Sequence, residues 1–351
     1  MNARMKAAVL YGREDVRIEK IAVPAASEGE ILLRTRVALT CGTDVKVFRR
    51  GYHARMIRPP AVFGHEVAGV VEEVGEGVDG LVPGTPVVVA NSAPCGECRF
   101  CRAGSESLCD DLLFWNGAYA EFARIPARIV RHNVLPLEEG LGFRQAAMVE
   151  PLACVVRGIE ESGVHAGQTV AVVGTGPVGL MLVRLAVLRG ASVVAVGRNP
   201  GRLARARALG ASETVTHAPG TSLGARLASL GPHGHGPDVV IEAVGQRETA
   251  EAALSSVRKG GLVNLFAGCP ADASLALDAQ RLHYQELTIK STFHHTPQSI
   301  RKAYRMIADG EVDPLQFITA EAPLEALPEE LRRLAAGGDG LKTAILTWGS
   351  E

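Results

Sequence analysis

Apolar positions recur along this chain in two rhythms. Between residues 5 and 89 they form short runs, KAAVLYG, VRIEKIAVP, EILLRTRVALT, EVAGVVEEVG and TPVVVA, punctuated by Gly, Pro and Asp. That spacing predicts an antiparallel, partly closed sheet. From Thr169 onward the runs are shorter and almost wholly apolar (TVAVV, SVVAV, PDVVIEAVG, GGLVNLFAG), and longer segments such as ARARALG between them read as helices. Strands apolar on both faces belong to a parallel sheet, joined by right-handed crossovers. An edge strand is expected at LTIKST (287–292), a helix over 299–309 and a last strand at KTAILTW. The chain reads as an α/β protein with a second, β-rich part.

One stretch, TVAVVGTGPVGLMLVRLAVLRG (169–190), combines a buried strand, a glycine turn and an apolar helix. Gly174, Gly176 and Gly179 have the G-x-G-x-x-G spacing of a dinucleotide-binding turn. Gly174 turns the chain out of the strand, Gly176 lets a pyrophosphate approach the backbone, and Gly179 lets the helix close on the sheet. Pro177 suits the first helical position; with Val178 it heads a helix whose free amides face the anion. About 20 positions on, an acidic residue would hold the ribose hydroxyls of NAD. The chain has Gly197, Arg198 and Asn199 there, then Arg202. A glycine leaves room for a 2′-phosphate, and a guanidinium can fork two charged hydrogen bonds to it. NADP is therefore expected over NAD, with Arg205 on the solvent face of a helix over 200–209. Val244 and Gly245, then Phe266, Ala267 and Gly268, end later strands where ligands collect in such sheets.

Composition narrows the class. The 351 residues suffice for two domains, and 47% are apolar. The net charge is −1 with no long run of one sign, so nothing points to nucleic acid or an anionic membrane. No apolar run is long enough to span a bilayer, and the first residues meet charges too early for a secretory segment. A cytoplasmic protein is expected, in which seven cysteines suggest metal or catalysis before disulfides. Cys95, Cys98, Cys101 and Cys109 are spaced C-x2-C-x2-C-x7-C in a loop of Gly, Ser and Arg. Four thiolates so close suit one tetrahedral zinc with no open position, which staples a lobe poor in apolar residues. The last spacing matches no common iron–sulfur pattern. Cys41 in CGTD and His65 in FGHE offer a thiolate and an imidazole from separate segments, as an open zinc site does. Glu66 is a third ligand or an outer carboxylate, and Glu150 in MVEPLA is a further candidate. Cys154 and Cys269 fit neither set, and His233 and His235 lie in a Gly/Pro loop expected to be solvated.

In order, CGTD, GHE, the four-cysteine lobe, EP and GTGPVG resemble the zinc-containing medium-chain alcohol and polyol dehydrogenases, in particular the branch with sorbitol and threonine dehydrogenases. The resemblance runs over residues 6–346. It implies a GroES-like catalytic domain in two pieces (1–152 and 291–351), with the zinc lobe at about 91–112, and a Rossmann domain over 153–290. It also implies two zinc ions per chain. The catalytic one would sit on Cys41, His65 and Glu66, with Glu150 as a direct or water-mediated fourth ligand; the structural one would sit on the four cysteines. Asp44 matches the aspartate that orients the zinc-binding histidine, and Thr43 the hydroxyl that takes the alcohol proton. Lys46 stands where relatives often carry the outer histidine of the proton relay, leaving Lys46, His53, water or the cofactor ribose as the outer carrier.

The activity implied is hydride transfer between a secondary alcohol (a polyol, cyclitol or sugar) and NADP or NAD, with zinc as Lewis acid. Two alternatives stand beside it: an amino-acid dehydrogenase of the threonine type, and a catalytically silent dinucleotide-binding protein. A homo-oligomer, tetramer or dimer, is the family expectation. His294 and His295 fall where the chain returns to the catalytic domain, either as substrate ligands or as a surface pair at a hinge. Tyr52, Phe114 and Trp115 are the aromatic candidates for pocket walls.

Overall fold

The structure, a computed structural model, describes residues 3–53, 56–217, 222–231 and 234–348, so His233 lies outside the described residues. The chain divides into two compact units, one formed by Met1–Ala153 with His295–Glu351 and the other by Cys154–His294.

In the first unit the early apolar runs become an antiparallel sheet centred on the strand Ile31–Leu39. That strand pairs with Glu66–Val74, with Phe122–Ile125 and with Lys342–Leu346. Pro86–Val89 and Val134–Pro136 extend one side, and Ile318–Pro323 the other, running parallel to Lys342–Leu346. Asp15–Ala22, Arg4–Gly12 and Ala61–Val62 make a smaller sheet. Leu33, Val67, Val71, Val89, Ile125 and Ile345 share one buried cluster with Phe48, Phe63 and Tyr119. The centre strand is buried along nearly all its length, which is why its sequence hardly alternates.

The second unit is a six-stranded parallel sheet. Its spatial order is Glu213–Thr216, Ser192–Gly197, Thr169–Val173, Val239–Glu242, Leu262–Leu265, Thr288–Ser291. The chain starts in the middle, builds outward one way, then returns and builds the other. Such an order has a switch point beside its first strand, where open α/β sheets bind ligands. The strand expected over 287–292 is trimmed to Thr288–Ser291. The helix expected over 299–309, in the first unit, is Pro297–Ala308, opened by a reciprocal cap between Thr296 and Ser299. No helix among the described residues is long and apolar enough to cross a membrane.

Candidate functional site

The four lobe cysteines converge, with their sulfurs all within 4.8 Å of one another. Cys98 Sγ is 3.5 Å and Cys95 Sγ 3.9 Å from Cys101 Sγ. A tetrahedral zinc with ordinary Zn–S bonds sets sulfurs about 3.8 Å apart, so the donors fit that ion. The backbone also prepares thiolates. Amides of Cys95 and Cys98 donate to Cys109 Sγ and Cys95 Sγ at 3.2 and 3.4 Å. Backbone hydrogen bonds from Cys101 and Asp110 draw the Cys98 thiol down to about 6. Burial and the neighbouring sulfurs push Cys101 up to about 12.

The second cluster is built at the start of a helix and the start of a strand. Cys41 caps the helix Gly42–Arg50: its amide donates to Asp44 Oδ2 at 2.9 Å, and its sulfur accepts from the Thr43 amide at 3.5 Å. Gly64, at φ 90°, leads into the strand Glu66–Val74; a Cβ there would strike the Tyr119 ring. Cys41, His65 and Glu66 thereby bring one ligand atom each to within 4.8 Å. Asp44 Oδ1 lies 3.3 Å from His65 Nδ1, the arrangement that leaves the other ring nitrogen to a metal. Burial opposes charge on His65, but the Asp44 carboxylate and the Cys41 sulfur outweigh it and raise its pKa well above 6.5.

Two residues here were missed in the sequence. The Tyr119 hydroxyl, fully buried, donates to Asp44 Oδ2 at 2.7 Å and sits 3.0 Å from the Leu39 carbonyl. Lys342, 1% exposed, donates to both oxygens of Glu66 at 2.6 and 2.7 Å and to the Thr40 carbonyl at 3.1 Å. Burial raises the Glu66 pKa, and the Lys342 ammonium works against that rise; contact through both oxygens is the geometry of an ion pair. The expectation for Glu66 changes accordingly, since a metal ion would have to share this carboxylate with Lys342.

Glu150 stands beside the trio rather than within it. Burial raises its pKa to about 7, against the pull of His65. Its Oε1 is 3.7 Å from His295 Nε2, which lies 3.0 Å from Asn91 Oδ1. His295 is fully buried, so the surface-pair reading fails for it; His294 is half-buried at φ 64°. Thr43 is half-buried in the first helical turn, and Lys46 is exposed on the same helix. His53 Nδ1 accepts from the Met56 amide at 3.2 Å. Trp115 is buried, its indole nitrogen bonded to the Arg124 carbonyl; Tyr52 is exposed.

In the second unit the turn after Thr169–Val173 has the geometry its glycines suggest. Gly174 is at φ 112°. A Cβ on Gly179 would overlap the Gly174 carbonyl, whereas above Gly176, the cap of the helix Pro177–Leu188, the space is open. That open cradle fits a pyrophosphate. Arg198 is exposed at the tip of Ser192–Gly197, and Arg202 is half-buried, its amide donating to Asn199 Oδ1 at 2.9 Å. The space over Gly197, expected to be room for phosphate, is filled by the Thr175 side chain. The Phe266 ring lies against Gly158. Val244 and Gly245 are held by Glu242, a buried carboxylate unnoticed in the sequence. Its Oε1 accepts from their amides at 2.9 and 3.0 Å and from the Thr249 hydroxyl at 2.8 Å. Ala267 and Gly268 follow the strand Leu262–Leu265, with Gly268 exposed. His235 and Arg205 are exposed.

Comparison with known proteins matches both units. Residues 27–137 match the alcohol dehydrogenase GroES-like domain, and residues 177–309 match the zinc-binding dehydrogenase model. The chain is 30% identical to L-threonine 3-dehydrogenase of Bacillus subtilis, over 97% of each. It is 28% identical to sorbitol dehydrogenase of the same organism, over 94% of this chain and 93% of that one. A crystal structure described as a zinc-binding dehydrogenase from Sinorhizobium meliloti 1021 bound to NADP superposes with a TM-score of 0.88 at 28% identity, covering 98% of this chain and all of that one.

Proposed function

The chain belongs to the zinc-containing medium-chain dehydrogenase family, and from that premise we propose that it oxidises a secondary alcohol of the polyol, cyclitol or sugar type with NADP. The carbinol carbon gives a hydride to the nicotinamide, the hydroxyl gives a proton to the protein, and the products are a carbonyl compound and NADPH. When bound, zinc supplies Lewis acidity to the hydroxyl and the dinucleotide supplies the hydride acceptor.

The residues of this chain carry the rest. Cys41 and His65 would hold the catalytic zinc, with Glu66 and Glu150 as the carboxylates beside them. Asp44 keeps the His65 ring oriented by its contact at Nδ1, and Tyr119 keeps Asp44 oriented in turn. The Thr43 hydroxyl, in the turn that carries Cys41, takes the proton and passes it outward. Cys95, Cys98, Cys101 and Cys109 would hold the structural zinc. Gly174, Gly176, Pro177, Val178 and Gly179 would receive the pyrophosphate, and Arg198 and Arg202 the 2′-phosphate, where the strand-end sequence Gly197-Arg198-Asn199 supplies no carboxylate. The similar structure solved with NADP supports that choice.

The observation that carries this reading is the convergence of Cys41, His65 and Glu66 with Asp44 on the histidine. The test is formation of reduced nicotinamide by zinc-loaded protein with NAD and NADP, across polyols, cyclitols, sugars and threonine. Turnover of polyols or sugars with NADP, lost on chelation and restored by zinc, supports it. Turnover of threonine alone would transfer the protein to the amino-acid branch.

A further inference from the structure

Gly197 ends the strand Ser192–Gly197, where NAD-binding sheets of this topology carry a carboxylate for the ribose. Its backbone is not in the left-handed region, so conformation alone does not demand glycine. The obstacle is Thr175. A Cβ built on Gly197 falls inside contact distance of Thr175 Oγ1, 3.0 Å from its Cγ2 and 3.2 Å from its Cβ. Thr175 is 5% exposed, and the glycines on either side of it belong to the turn.

Rotation does not clear the space. A β-branched side chain fills two of its three staggered positions. The one rotamer that takes a heavy atom away from the worst contact leaves the 3.0 Å position filled. It also drives the other branch into the side now holding only hydrogen, in a buried residue.

We propose that Thr175 is the specificity-determining residue of the dinucleotide pocket: by filling the volume over position 197, it excludes the ribose-binding carboxylate and leaves selection to Arg198 and Arg202. This rests on reading residues 174–179 and 197–202 as that pocket. Position 197 can then gain a side chain only where position 175 loses one. Substituting Gly197 alone damages the pocket instead of converting it.

The test is a cycle of wild type, Gly197→Asp, Thr175→Ala and the double variant, with dissociation constants for NAD and NADP and thermal midpoints for each. Gly197→Asp alone is expected to weaken both dinucleotides by about tenfold or more. The double variant should recover about tenfold in NAD affinity over Gly197→Asp and bind NAD better than NADP. Equal NAD binding by Gly197→Asp and the double variant, or no recovery in the double, overturns the proposal. Should the aspartate variants not fold, the cycle with Gly197→Ala replaces them. A midpoint lowered by Gly197→Ala and restored by adding Thr175→Ala supports the coupling, and strict additivity overturns it. The wild-type NAD/NADP ratio tests the NADP reading separately, so either can fail without the other.

Discussion

Lys342→Met isolates the ion pair under the candidate metal site. In the wild type, both Glu66 oxygens rest on the ammonium at 2.6 and 2.7 Å, with Glu66 0% and Lys342 1% exposed. Methionine keeps much of the aliphatic volume and removes the charge, leaving a buried carboxylate without its cation. Breaking such a pair from one side is destabilising by about 3–5 kcal/mol. The first unit has roughly 210 residues, a size at which each kcal/mol moves the midpoint by about 2–4 °C. Metal-free Lys342→Met should therefore melt roughly 6–20 °C below the wild type in scanning calorimetry. Adding Glu66→Gln removes the orphaned charge and should return most of the loss, because replacing both members of a buried pair is far milder than removing one. Zinc should protect Lys342→Met more than wild type, since the metal offers Glu66 a substitute cation. A loss that Glu66→Gln leaves unchanged would refute this account and assign the destabilisation to packing around the lysine stem.

Three further outcomes follow from other contacts. Tyr119→Phe strips one donor from Asp44 Oδ2; it should lower stability by about 1–3 kcal/mol and zinc affinity by roughly 10–100-fold, measured by competition with a chromophoric chelator. Cys101→Ser should retain one zinc fewer per chain by metal analysis and expose the lobe to proteolysis, since a closed thiolate shell is what holds such a lobe. Glu330 is held below 4.5 chiefly by the hydrogen bond from Arg333, and also by the Thr343 hydroxyl. A lowered folded pKa contributes stability that is present above the unfolded value and lost as pH falls through the folded one. Glu330→Gln should thus be less stable than wild type at pH 7, with the difference closing in denaturant titrations as pH is lowered below about 4.

What was legible in the sequence was local or periodic. The α/β class and the parallel strands from Thr169 onward are written in apolar runs, and the lobe sulfurs meet because their spacing confines them to one loop. The missed residues act across distance. Lys342 and Glu66 are 276 positions apart, and Tyr119 and Asp44 are 75 apart. A lysine in KTAILTW or a tyrosine in GAYAEF carries no mark of the carboxylate it will meet. Gly197 was misread for a related reason. Absence of a side chain looks like empty space in a sequence, but here the space belongs to Thr175 from the neighbouring strand end.

The strand that carries Lys342 also orders events during synthesis. The second unit is one uninterrupted segment, 154–294, and can fold once that segment has left the ribosome. The first unit cannot close then, because Lys342–Leu346 is the strand that joins Ile31–Leu39 to Ile318–Pro323. Until it arrives, Glu66 lacks the Lys342 ammonium and the central strand has a bare edge over Val37–Leu39. A ribosome stalled before codon 342 would therefore display Cys41, His65 and Glu66 without the lysine that pairs with Glu66.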